Sequence, residues 1–155
     1  MQHSDGQPRA VLVHGARDVA AVLEVAAGRP VSLLSAPGVA GYLGVAGFAA
    51  LLAPHDALRL AILDAADAPG HALAALHAGF GRIILAPHLA AFADLDAMAR
   101  AAGAMLFEAA PPALDLARVD VRKPQGLRHL ARWLDGQPAT GLVSAVPETS
   151  PGPGG

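Results

Sequence analysis

Short continuous apolar runs alternate with amphipathic stretches along most of the chain. Residues 10–14 form a valine-rich run that Gly15 breaks. Residues 18–27 place Val19, Val22, Leu23 and Ala26 on one helical face, and Gly28 follows as a stop. Residues 30–35 are the second apolar run, leading into a glycine loop over 36–47. Residues 44–53 read as a second helix stopped by Pro54, and 59–64 as a third run. Asp67 is placed to cap the next helix, with Pro69 in its first turn; that helix extends to about His77, with Gly79 just beyond. Residues 82–87 are a fourth run. Residues 91–102 form a helix that turns Phe92, Leu95, Met98 and Ala99 inward, and Gly103 ends it. A fifth run, 104–108, stops before Pro111 and Pro112.

The runs do not alternate apolar with polar residues, so both faces of each strand are expected to be covered. Such strands, separated by helices, predict βαβ units and a parallel sheet of about five strands with flanking helices. Beyond Pro112 the rhythm weakens. Residues 113–118 read as a short helical turn. Residues 125–134 read as a helix with Leu127, Leu130 and Trp133 on one side, opposite Arg128 and Arg132. The expected organisation is a polar arm over 1–9, one α/β domain over 10–135 and a flexible Gly/Pro-rich tail over 136–155.

Composition narrows the function classes. The 155 residues are 54% hydrophobic and 15% charged, with net charge −2, which offers no basic footprint for nucleic acid. There is no cysteine, which excludes disulfides, thiolate nucleophiles and Cys-ligated metal. Residues 30–54 lack formal charge and are long enough to span a bilayer, but Pro37 and Gly38, Gly41, Gly44 and Gly47 interrupt them. The stretch is therefore expected to be a buried strand, a loop and a packed helix, and the chain to be cytoplasmic with no membrane partner.

Candidate chemistry gathers where strands end, because ligands of parallel α/β proteins bind beyond the carboxyl ends of the strands. His14, Asp64, His88 and Glu108 are the candidate acid–base residues at those ends. Asp64 leads them, since it directly follows an apolar run and is expected to be partly buried. Ser35, Gly38, Gly41 and Asp67 are the candidate ligand-binding residues; amides freed by loop glycines near a helix start can cradle phosphate. The loop lacks both the P-loop ending and the dinucleotide glycine order. No metal site and no cofactor are assigned.

The wording of several units resembles the N-terminal half of class II, zinc-dependent fructose-bisphosphate aldolase-like barrels. The resemblance rests on Ala10-Val-Leu-Val-His14, Arg29-Pro-Val-Ser-Leu-Leu-Ser35, Leu63-Asp64, Ala78-Gly79-Phe80-Gly-Arg-Ile-Ile-Leu85, and the run from Gly103 to Glu108. It covers roughly residues 10–110. In that family the third strand ends in Leu-Asp-His-Gly, where the aspartate moves protons and the histidine binds zinc. Here Ala65 and Ala66 follow Asp64, so the ligand position is lost, and the chain is too short for the barrel's second half. The resemblance implies a truncated relative without the parent aldolase activity that binds a small phosphorylated ligand at the strand ends. The alternative is a non-catalytic interaction module acting through homo-oligomerisation. Two sheet arrangements remain open: a curled half-barrel, or a flavodoxin-like open sheet. The half-barrel leaves one apolar sheet face to be covered by the C-terminal helix or a second copy.

Overall fold

A computed structural model describes residues 8–38 and 43–137. Six strands form one all-parallel sheet: β1 (Ala10–Val13), β2 (Ser32–Ser35), β3 (Ala61–Asp64), β4 (Arg82–Ile84), β5 (Met105–Phe107) and β6 (Ala113–Asp115). Five helices flank it: α1 (Ala16–Ala26), α2 (Gly44–Leu52), α3 (Pro69–Ala78), α4 (Phe92–Ala101) and α5 (Pro124–Leu134). The α/β class and parallel sheet read from the sequence are observed. The uncharged stretch 30–54 divides into β2 and the nine-residue α2, and no helix among the described residues is long and apolar enough to cross a membrane.

The sixth strand replaces the helical turn expected over 113–118. Ala113–Asp115 pairs with β1 in register Leu12↔Asp115, and only Leu116–Arg118 form a single 3-10 turn. Three residues after two prolines carry little strand signal of their own. Their ladder partner, β1, lies a hundred residues upstream in the chain, out of reach of local pattern reading.

The sheet order is β5-β4-β3-β2-β1-β6. From β1 to β5 it follows the chain without reversal, and the helices touch in matching succession: α5 on α1, then α1 on α2, α2 on α3, α3 on α4. The jump from β5 to β6 fixes the sheet's curvature. In a flat sheet these edge strands would lie five spacings apart, about 24 Å. The six steps from Phe107 to Ala113 reach at most about 22 Å. They must also run back along the strand direction, because Phe107 is level with Ile84 and Asp64, beyond the level shared by Ile62, Leu34, Leu12 and Asp115. The sheet is therefore curled, with its two edges drawn towards each other.

Its two faces make separate cores. The helix-covered face carries Val11, Val13, Leu33, Leu63, Ile83, Leu85 and Leu114, packed with Phe48, Phe80, Leu130 and Trp133. The inner face carries Leu34, Ile62 and Ile84, each 4–5% exposed, with Leu12, Phe107 and Ala113 packed against them. Every strand contributes one residue to that inner cluster, and both edge strands reach it, as the curl requires. The inner apolar face is thus buried within one chain. The C-terminal helix does not cover it: α5 packs on α1 at the outer side, where Trp133 Nε1 donates to the Ala10 carbonyl at 2.9 Å and Arg9 stacks on the indole.

Candidate functional site

Beyond the C-terminal ends of β1 and β6 lies a hydrogen-bonded cluster. His14 follows the last residue of β1, and Asp115 ends β6. Because these strands are neighbours in parallel register, His14 Nε2 meets Asp115 Oδ1 at 2.6 Å. Both side chains are about one-third exposed, 37% and 34%. The Asp115 carboxylate also accepts the Ala117 amide, while Asp18 in the first turn of α1 accepts the His14 amide at 2.8 Å. Burial works to raise the pKa of Asp115. The hydrogen bonds from His14 and Ala117, with the charges of His14 and Arg118, outweigh it and hold the carboxyl below its ordinary range. His14 Nδ1 has no hydrogen-bond partner among the described residues.

An open cavity of about 420 Å³ is lined by Arg17 and Asp18 from α1 and by residues 116–122 after β6; His14 and Asp115 are not on its lining but bond to two of its residues, Asp18 and Ala117. Its charge pattern is uneven. Arg122 is held by Asp120 through Nε at 2.9 Å and Nη2 at 3.3 Å. Hydrogen bonds from the Arg122 side chain and amide hold Asp120 below the usual carboxylate range. Arg17 and Arg118 make no ion pair among the described residues. Gly15, the N-cap of α1, supplies no side-chain bond to the first-turn amides, but the Asp18 carboxylate sits in that first turn and offsets the positive end of the helix.

Asp64 behaves differently from the rest of the rim. It ends the central strand β3 and is only 6% exposed. Burial raises its pKa, and the hydrogen bond from the Ala66 amide to Oδ1 opposes the shift. Ser35, fully buried at the end of β2, accepts the Asp64 amide on Oγ at 2.8 Å. These two residues, singled out separately in the sequence, are joined across neighbouring strands.

Among the described residues His88 and Glu108 make no hydrogen bond to either group. His88 lies in the loop after β4 and Glu108 directly after edge strand β5; both are exposed. Strands β2, β3 and β4 separate Glu108 from His14. Asp67 does not cap α3. The N-cap is Ala68, without a side-chain bond, because Ala66 takes a left-handed φ of 52° and the chain closes a turn from Ala65 O to Ala68 N before the helix starts. Pro69 does occupy the first turn. Gly38 takes a left-handed φ of 64°, while Gly41 lies outside the described residues. No group of three or more His, Asp or Glu able to hold a metal occurs among the described residues. The sequence reading missed Asp115, Arg17 and Arg118, because the cluster forms only when β6 joins β1. No protein-family model matches the sequence, and a search of curated proteins gives no match.

Proposed function

We propose that this protein binds a small phosphorylated molecule at the C-terminal ends of β1 and β6. The observation that carries the reading is the 420 Å³ cavity whose lining meets the His14–Asp115 pair through Asp18 and Ala117, with Arg17 and Arg118 on that lining and no carboxylate within ion-pair distance of either among the described residues. Its size falls in the range of small-molecule sites, about 300–1,000 Å³. Arginine suits a phosphate because its planar fork presents paired donors. Asp115 orients the imidazole through Nε2 and leaves Nδ1 as the nitrogen available for proton transfer to or from a bound ligand. The same proposal includes a cytoplasmic setting.

Descent from the class II aldolase-like barrel belongs to this proposal as well. The Leu63-Asp64 ending of β3 and the chain-ordered succession β1 to β5 support it. Two features depart from the parent. Ala65 and Ala66 stand where the zinc-binding histidine and its glycine would follow, and β6 lies beside β1 where an eight-stranded barrel has its last strand. We therefore infer ligand binding without the parent aldolase reaction.

Calorimetric titration with a phosphate monoester such as glycerol 3-phosphate tests the reading. Saturable binding to the wild-type chain is expected, weakened about tenfold by Arg118→Ala, the loss of one charge-assisted contact. Affinity that is absent, or unchanged in Arg17→Ala and Arg118→Ala, rejects it.

A second reading, self-association, has one observation behind it. Met98 on α4, expected to face inward but found 45% exposed while Leu95 and Ala99 are buried, lies on the helix that packs on edge strand β5, whose Met105 is 58% exposed. Light scattering behind a sizing column decides this reading. It requires a dimer that Met105→Glu dissociates, and a wild-type monomer at micromolar concentration excludes it.

A further inference from the structure

The opposite end of the sheet holds a second feature with no part in the site above. Arg82 begins β4 and points to the inner face, since Ile83 belongs to the outer core and Ile84 to the inner one. Its guanidinium reaches back across β3 to β2. Nη2 donates to the Leu60 carbonyl at 2.6 Å and Nη1 to Ser32 Oγ at 2.8 Å. Both acceptors are neutral, and no carboxylate lies within ion-pair distance among the described residues. Burial lowers its pKa, the mark of a cation that has given up water without gaining a counter-charge.

A strand tie alone does not account for the charge. Reaching across β3 takes a side chain of arginine's length, but neither acceptor compensates the charge that comes with it. The guanidinium also carries more N–H donors than these two acceptors occupy. Arg82 lines an open cavity of about 440 Å³ together with Arg59, Asp56, Leu58, Gly79 and Gly81. Asp56 makes no ion pair with either arginine. At Gly81 nothing lies within 4 Å of where a Cβ would stand, which leaves bare backbone for a compact ligand to approach, while at Gly79 the Leu58 side chain stands 3.4 Å from that position.

We propose that this cavity, at the N-terminal ends of β3 and β4, is a second binding site that takes a compact oxyanion, a phosphate group, between Arg82 and Arg59. The anion supplies the counter-charge that Arg82 lacks and uses its remaining donors, and Arg59 closes the site from the exposed 3-10 turn before β3. The site is independent of the reading given for β1 and β6, because no residue is shared between the two linings.

Amide-resolved NMR of the full chain, titrated with inorganic phosphate, tests the proposal. Saturable shifts are expected at Gly79, Gly81 and Arg82. They persist in Arg118→Ala, which removes a cation from the other cavity only. Affinity read at these amides falls about tenfold in Arg82→Gln, whose shorter amide gives up the charge and the bond to Ser32, and severalfold in Arg59→Ala, where the exposed position leaves folding intact. Should Arg82→Gln not fold, Arg59→Ala decides alone. The proposal is overturned if the glycine amides do not move in the wild type, or if the shifts survive unchanged in Arg59→Ala.

Discussion

Asp64 and Asp115 are both aspartates at strand ends, yet their surroundings drive them in opposite directions. Asp64 ends a central strand, is buried, and has its pKa raised; Asp115 ends an edge strand and is held in its charged form by His14 and Ala117. The pH consequences follow in sign. With a folded pKa above the ordinary 3.8, Asp64 contributes stability that is complete below that value and is lost as pH rises through the folded pKa. Asp64→Asn keeps an oxygen acceptor for the Ala66 amide and removes the buried charge. Its melting temperature at pH 7 should exceed that of the wild type, with a flatter decline as pH rises above 4. Asp115 has the opposite sign: its stabilising share is present above the ordinary value and fades as pH falls through its lowered pKa, so Asp115→Asn should blunt the acid limb of a stability profile. Removing the Ser35 hydroxyl leaves the Asp64 amide unpaired in a fully buried place. Ser35→Ala should cost about 1–3 kcal/mol in urea unfolding. The burial of Asp64 was legible in the sequence, because a carboxylate directly after Leu60–Leu63 has nowhere else to go. Its link to Ser35 was not, since that bond depends on which strands are neighbours.

Among the elements, those with a pattern of their own were readable, and those made by a distant partner were not. Helix α1 was visible because Val19, Val22 and Ala26 recur at helical spacing, and all three are buried. Strand β6 was invisible because three residues carry no period, and β1 supplies its ladder. Helix α5 was legible as an amphipathic element, but its docking place was not. It sits against α1 through Leu130 and Trp133, and its first turn comes so close to the preceding loop that a Cβ at Gly126 would collide with the Asp120 carbonyl. Two substitutions follow. Trp133→Phe loses the bond to the Ala10 carbonyl and part of the Arg9 stacking, and should cost about 1–2 kcal/mol by urea unfolding. Gly126→Ala should cost more than an ordinary surface change, because backbone must move to admit the methyl group, and chemical shifts at Asp120 and Val121 should report that displacement.

For the whole molecule, the curl of the sheet sets the surroundings of the proposed site. It packs one inward residue from each strand into a single inner cluster and draws the edges together. The chain has no cysteine, so spin labels can be placed at will on introduced cysteines. Labels at Met105→Cys and Ala117→Cys should report backbone separations below about 20 Å, whereas five spacings in a flat sheet give about 24 Å or more. In such a sheet the mouth at the carboxyl ends of the strands is shaped by the β1–β6 junction, where His14, Asp115, Arg17 and Arg118 gather. The most direct test of that account is an amide-resolved NMR titration of the wild-type chain with glycerol 3-phosphate. Saturable shifts are expected of the Ala16, Arg17, Ala117 and Arg118 amides together with the His14 ring, with the affinity read from the remaining resonances about tenfold weaker in Arg118→Ala. Stationary resonances at those positions under saturating phosphate ester would contradict it.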